Sequence, residues 1–222
     1  MLLKSLIKNI SKDKKNIKIS GLSINSKEVK KNYIFFAING KKINGENFIN
    51  EAIQNGASVV VCSENYNNKN KKIFFIKTKK PRYLLSEIAS KFYEAKPKNI
   101  FAVTGTNGKT SVSDLFYQLF RSNNLPVASI GTLGIKYKNK IIKTDLTSPD
   151  TITLHKKLNY LKIKKIENVI IEASSHGLDQ KRLHHIKFKG AIFTNFSQDH
   201  LDYHHNMKSY LNSKLILFRE IL

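Results

Sequence analysis

The chain of 222 residues holds 39 Lys+Arg against 16 Asp+Glu, a formal net charge of +23, and a single cysteine, Cys62; that length suits one large domain or two small ones with an ordinary core. One cysteine excludes an internal disulfide framework and a cysteine-based zinc cluster. No apolar run reaches the roughly 18 residues of a membrane helix, and Lys4 and Lys8 interrupt the start before a secretory core forms, so a cytoplasmic protein without membrane insertion is expected. Only Arg82, Arg121, Arg182 and Arg219 are arginines, and the lysines are scattered among Asn and Ile, whose AT-rich codons they share. The charge therefore reads as composition bias on solvated faces, with anionic ligands secondary, and not as an arginine- and aromatic-lined nucleic-acid groove.

In chain order, apolar runs and helical periodicity alternate. Residues 33–38 read as a strand, 47–55 as a helix with Gly56 at its C-cap, 58–62 as a buried strand around Val59-Val60-Val61, 73–77 as a strand and 82–93 as a helix. Residues 23–27 are expected to precede the first strand, and 40–45 to form a Gly-bounded loop. Pro97 ends the helical stretch, so the domains are placed at 1–96 and 97–222. Beyond it, 99–104, 127–130, 168–171 and 191–195 read as strands, and 109–121, 151–161 and 207–222 as helices. The fold class is α/β: a small α/β domain, then a mostly parallel sheet covered on both faces, whose ligands sit at the carboxyl ends of its strands.

Each chemical motif falls at such an end. Val103-Thr104-Gly105-Thr106-Asn107-Gly108-Lys109-Thr110-Ser111 joins a strand to an amphipathic helix. Gly105 and Gly108 allow close backbone approach, the helix N-terminus offers amides to an anion, Lys109 suits the β/γ-phosphates and Thr110 suits Mg²⁺. Val103 stands where the general phosphate-loop pattern has glycine, which indicates a variant loop. Glu172 follows an apolar strand and is the candidate magnesium carboxylate. A Ser174, His176, Asp179 triad is disfavoured because triad members converge from separate segments. His200 and His204, four apart, have a zinc-compatible spacing but lack a third ligand, so assistance to Mg²⁺ or substrate is the better reading. His184 and His185 read as surface histidines, and lysines on the last helix as a solvated face.

These segments together resemble the Mur ligases: Gly105 to Thr110, Glu172-Ala173-Ser174-Ser175-His176-Gly177-Leu178, the run from Thr194 to His204, and Lys214, in that order and spacing. The resemblance spans essentially the whole chain and points to the member adding the third amino acid, diaminopimelate or lysine, to UDP-MurNAc-L-Ala-D-Glu. It implies an amino-terminal UDP-binding domain and an incomplete P-loop ATPase domain, with ATP and Mg²⁺ as cofactors and the UDP-MurNAc-dipeptide and a diamino acid as partners. A monomer that binds no nucleic acid is expected. By resemblance Gly105, Thr106, Asn107, Gly108, Lys109, Thr110 and Ser111 hold ATP. Thr110, Glu172, His200 and a carbamylated Lys214 hold metal; Lys109, His200 and Lys214 are catalytic. Ile24, Ser26, Thr147, Ser148, Ser174, Gln180 and Arg182 hold the muramoyl peptide. Leu146 and Ser148 depart from the family pattern beside Thr147.

The resemblance also implies that the rest of the central domain and a carboxyl-terminal amino-acid-binding domain lie beyond Leu222, so residues 1–222 alone are expected to have little or no ligase activity. A folylpolyglutamate-synthetase-like ligase is the first rival; it usually has Gly where Thr110 stands and lacks the UDP-binding domain. A basic nucleic-acid-binding NTPase is the second.

Overall fold

Runs of consecutive apolar residues become strands buried on both faces in each half of the chain. The computed structural model describes residues 1–222 except Asn9, Lys41, Lys42, Asn68, Lys69, Lys71 and Asp145, in two compact units, Met1–Phe92 and Tyr93–Leu222.

In the first unit, α1 (Leu3–Leu6), β1 (Gly21–Ser23), β2 (Tyr33–Phe36), α2 (Ile49–Gln54), β3 (Ala57–Cys62), β4 (Phe74–Lys77) and α3 (Pro81–Phe92) follow in sequence. The strands form an all-parallel sheet in the order β1-β2-β3-β4. Val59, Val60 and Val61 are 0% exposed, as a central parallel strand demands. Two expectations are corrected. Residues 23–27 do not precede the first strand: Ser23 is the last residue of β1, which pairs with Tyr33–Phe35, and 24–27 follow it. The helix expected over 47–55 starts as a 3₁₀ turn, Gly45–Phe48, where the Asn44 side chain accepts from Glu46 N–H, and is α-helical only from Ile49. Gly56 ends it at φ +106°, where a Cβ would lie 2.8 Å from Lys31 Cα.

The second unit contains β5 (Asn99–Thr104), α4 (Lys109–Ser122), β6 (Val127–Gly131), β7 (Gly134–Tyr137), β8 (Lys140–Ile142), α5 (Thr151–Ile163), β9 (Asn168–Glu172), α6 (Ser175–Asp179), β10 (Gly190–Phe193), α7 (Leu201–His204) and α8 (Met207–Ile216). Its six-stranded sheet has the order β10-β5-β9-β6-β7-β8; the first four strands are parallel and β6-β7-β8 antiparallel. The β7–β8 hairpin was not expected from sequence. Its turn is made by Lys138 and Asn139, with φ 43° and 61°, the left-handed pair that a tight hairpin needs but that lacks a glycine signal. The final helix is α-helical to Ile216 and then a π turn over Leu217–Ile221.

The core joins Ile100, Ala102, Ile130, Val169 and Ile171 of the sheet to Leu154, Leu158 and Leu161 of α5. His155 on α5 is 0% exposed, and neither ring nitrogen has a hydrogen-bond partner among the described residues. Burial, with the charge of Lys96 acting the same way and the nearby His184 backbone opposing it, drives its pKa down to about 3. His184 corrects the surface expectation: it is 5% exposed, with Nε2 3.3 Å from Glu220 Oε2. Burial lowers its pKa, and Glu220 opposes the shift. No described helix is long and apolar enough to cross a membrane.

Candidate functional site

Parallel register decides what meets at the carboxyl edge of the second sheet. Val103 on β5 pairs with Glu172 on β9, Thr104 with Phe193 on β10, and Ile130 on β6 with Ile171. The residues after β5, β6, β9 and β10 are thereby gathered in one place, where α/β sheets bind ligands.

Two glycines shape the loop after β5. Gly105 has φ +145°, and a Cβ there would lie 1.9 Å from Thr194 Oγ1. Gly108, at φ +82°, is the left-handed N-cap of α4, with no side-chain cap bond. The uncapped helix start is suited to an anion. A segment after β10 clamps the loop: Thr106 N–H donates to Asn195 O and Asn107 N–H to Asn195 Oδ1, both at 2.9 Å. Thr194 Oγ1 donates to Asn107 O at 2.6 Å, and Ser197 N–H to Thr106 Oγ1 at 3.0 Å.

Both candidate lysines converge on this loop. Lys109 Nζ donates to Gly105 O at 3.0 Å and Thr106 O at 2.7 Å. Lys214 on α8, 1% exposed, donates to the same Gly105 O at 2.6 Å and lies 4.3 Å from the centroid of the Tyr210 ring. Burial pushes the Lys214 ammonium down to about 8, Lys109 adds to the effect and Asp199 opposes it. Burial also lowers Lys109, against Glu172 and Asp199. The reading of last-helix lysines as a solvated face therefore fails at Lys214, the lysine that spacing passed over and the family resemblance singled out.

Glu172 is 1% exposed and accepts three bonds: from Thr110 Oγ1 at 3.0 Å, from Thr132 N–H at 3.1 Å and from Thr132 Oγ1 at 3.0 Å. A carboxylate and a hydroxyl side by side at this loop form a hard oxygen donor pair. No group of three or more His, Cys, Asp or Glu among the described residues could hold a metal by itself. The zinc spacing of His200 and His204 is not used: His204 is 3% exposed, with Nε2 3.0 Å from Ser175 Oγ and Nδ1 3.3 Å from Ser213 Oγ. His200 instead lines, with loop residues 106–111, Thr132, Thr147, Ser174, Ser175 and Lys214, a cavity of 260 Å³. Its ring packs edge-on against His176, centroids 4.9 Å apart.

The candidate substrate residues divide. Thr147 and Ser174 line the cavity. Ser148 is 1% exposed; its hydroxyl donates to Glu172 O at 2.8 Å and accepts from Ser174 N–H at 3.0 Å. Ser174 Oγ accepts from Gly177 N–H and so caps α6, a structural use that replaces the triad reading. Arg182 donates to Ser148 O at 2.6 Å and to Gln180 Oε1 at 2.7 Å, which ties Gln180 and Arg182 to the 147–148 turn. In the first unit Ile24 is exposed, whereas Ser26 is buried and its hydroxyl donates to Glu51 Oε2. Of the loop expected over 40–45, residues 41 and 42 lie outside the described residues. Sequence reasoning gave neither Thr132 nor Thr194 a role in the site: Thr132 had no signal beyond a position just past a strand's carboxyl end, and Thr194 headed the run to His204 but without an assigned contact.

Residues 103–222 match the Mur ligase middle domain, and residues 18–93 match the Mur ligase family, catalytic domain. The UDP-N-acetylmuramoyl-L-alanyl-D-glutamate–2,6-diaminopimelate ligase of Rickettsia prowazekii (strain Madrid E) is 44% identical over 220 residues, covering 96% of this chain and 45% of the relative. That of Wigglesworthia glossinidia brevipalpis is 40% identical, covering 99% and 46%. A solved structure of a ligase of the same name superposes with TM-score 0.80 at 28% identity, over 99% of this chain and 45% of that one. The MurF ligase from Thermotoga maritima in complex with ADP shares the fold, with TM-score 0.58 at 21% identity, over 90% and 43%. The chain spans about half the length of the curated relatives it matches. Matched across its second unit and through most of its first, the chain belongs to the Mur ligase family.

Proposed function

We propose that this chain is the nucleotide- and muramoyl-peptide-binding part of an ATP-dependent ligase that joins a diamino acid to UDP-MurNAc-L-Ala-D-Glu. The observation that carries the reading is the shared cavity wall: the phosphate loop, the Thr110–Glu172 pair, His200 and Thr147 meet around one space. The diamino acid on this reading is diaminopimelate, the residue in the names of the Rickettsia and Wigglesworthia relatives. Residues 1–96 take the UDP end and 97–222 the ATP, in a cytoplasmic monomer.

In the reaction the γ-phosphoryl group of ATP passes to the substrate carboxylate, giving ADP and an acyl phosphate. The amine of the incoming amino acid then attacks the acyl carbon, phosphate leaves, and the amine gives up a proton. Such transfer needs positioning and charge neutralisation more than covalent chemistry. Gly105 to Ser111 hold the phosphates at the start of α4. Lys109 reaches them by exchanging the carbonyls of Gly105 and Thr106 for phosphate oxygens. Thr110 and Glu172 fit Mg²⁺, which takes one or two carboxylates along with phosphate oxygens and water, with His200 beside them. When bound there, the ion would supply charge neutralisation on the transferring oxygens. Thr147 and Ser174 face the substrate, and Ser148, Gln180 and Arg182 fix the turn that presents Thr147.

Calorimetry tests the assignment. ATP with Mg²⁺ and UDP-MurNAc-L-Ala-D-Glu are each expected to bind, and Arg182→Ala should weaken the muramoyl peptide about tenfold, the scale of a lost charged hydrogen bond, while leaving ATP within about twofold. Absence of both affinities overturns the reading. Oligonucleotide affinity that falls steeply with salt, without UDP-sugar binding, favours the nucleic-acid NTPase instead.

Lys214 is the proposed carbamylation site. Two ammonium groups share the Gly105 carbonyl; loss of one proton from the Lys214 ammonium, then addition of CO₂ to the neutral amine with loss of a second proton, replaces one cation by an anion beside Lys109. The neutral amine that reaction needs is accessible because burial holds the group at about 8. With ¹³C-bicarbonate at pH 8, a carbamate carbon resonance is expected in the wild type and not in Lys214→Arg. A wild-type spectrum without that resonance removes the assignment.

A further inference from the structure

We propose that Thr132, in the turn between β6 and β7, is the positioning residue of the Glu172 carboxylate, fixing it for the Thr110 hydroxyl and for the Mg²⁺ that accompanies ATP; this rests on the proposed nucleotide site. The Thr110 bond alone reaches only Oε2, at 3.0 Å. A glutamate held by one oxygen keeps a broad terminal torsion. Thr132 removes that freedom, because its N–H donates to Oε1 at 3.1 Å and its hydroxyl to Oε2 at 3.0 Å, one donor for each oxygen. The backbone of β6 comes this close only because residue 131 is glycine: a Cβ there would lie 2.0 Å from Glu172 Oε1.

The proton count extends the chain. Thr132 has one hydroxyl proton and commits it to Glu172, so Thr147 Oγ1, 3.1 Å from Thr132 Oγ1, is the donor in that contact. A substrate-facing hydroxyl thus supports the residue that orients the acid. The Thr132 side chain is exposed and lines the cavity, so core packing does not account for it.

The test is calorimetric titration of ATP with Mg²⁺ and, separately, with EDTA. Partners that orient a metal ligand are worth roughly tenfold to a hundredfold in metal affinity. Thr132→Val is therefore expected to weaken ATP·Mg²⁺ by about that factor and to leave metal-free ATP within about twofold. Thr132→Ser, which keeps both donors, should bind like the wild type. Should Val disturb the turn, as a melting curve would reveal, Thr132→Ala carries the same readout. Retention of the full Mg²⁺ dependence by the hydroxyl-free variant overturns the positioning role, as does an equal loss with and without metal. A wild type whose ATP affinity does not respond to Mg²⁺ overturns this role while leaving the nucleotide site in place, whereas a wild type that binds no ATP overturns the nucleotide-site reading itself.

Discussion

Gly105→Ala is expected to lower ATP·Mg²⁺ affinity by at least about a hundredfold and to cost stability as well. Two effects act together. The backbone at φ +145° lies where an L side chain is strained, and the added methyl would stand 1.9 Å from Thr194 Oγ1 and 3.1 Å from Asn195 N and O. Those atoms belong to the clamp that holds the loop, since Thr194 Oγ1 donates to Asn107 O and Asn195 O accepts from Thr106 N–H. The methyl cannot be accommodated without parting the loop from its clamp. Strain and overpacking each cost about 1–3 kcal/mol; a total near 3 kcal/mol lowers the melting temperature by roughly 10 °C in a chain of this size. Gly108→Ala is the control, because its Cβ would be 3.8 Å from Thr194 and only the left-handed φ of +82° opposes it. Calorimetry and melting curves on both variants decide the matter. A Gly105→Ala protein with ATP affinity within threefold of the wild type would show that the loop and clamp separate freely.

His155→Leu should make the protein more resistant to acid. The imidazole is 0% exposed, with both nitrogens unpartnered among the described residues, and its folded pKa is about 3 against an ordinary 6.5. The sign follows from linkage: between those values the unfolded chain binds a proton that the folded chain refuses, so stability is fully present above about 6.5 and is lost as pH falls towards 3. At pH 5 the loss is about 2 kcal/mol. The charges facing the ring, Lys96 and His185, both oppose its protonation. Leucine has a similar volume and no proton to take up, so urea unfolding should show the variant gaining about 2 kcal/mol on the wild type between pH 8 and pH 5. An unchanged difference at the two pH values would mean that His155 protonates in place. His184 and His204 shift in the same direction, chiefly from burial, and remain in the variant, so the comparison isolates one ring.

Contiguous residues sufficed for the local pieces. Val59 to Val61 and Val169 to Ile171 had to be buried strands, and Gly105 to Thr110 had to be a glycine-bearing turn from strand into helix, because contiguous residues carry the full signal there. The family match bears out the Mur ligase resemblance drawn from ordered segments. What the tertiary structure decided is contact between distant positions. Parallel pairing of Val103 with Glu172 sets the acid against Thr110, 62 residues away in sequence. It also brings Thr132, from a strand end that carries no motif, and Thr194, which heads the run to His204, to the same edge. The β7–β8 hairpin stayed hidden because Lys138 and Asn139 adopt positive φ without a glycine; His155 drew no notice as a helix residue until packing took it out of water, and Lys214 stood out only through the family resemblance, its spacing alone reading as a solvated face. Periodicity records which face of an element is apolar; which elements cover that face, and therefore which ionisable group loses its solvent, depends on sheet order.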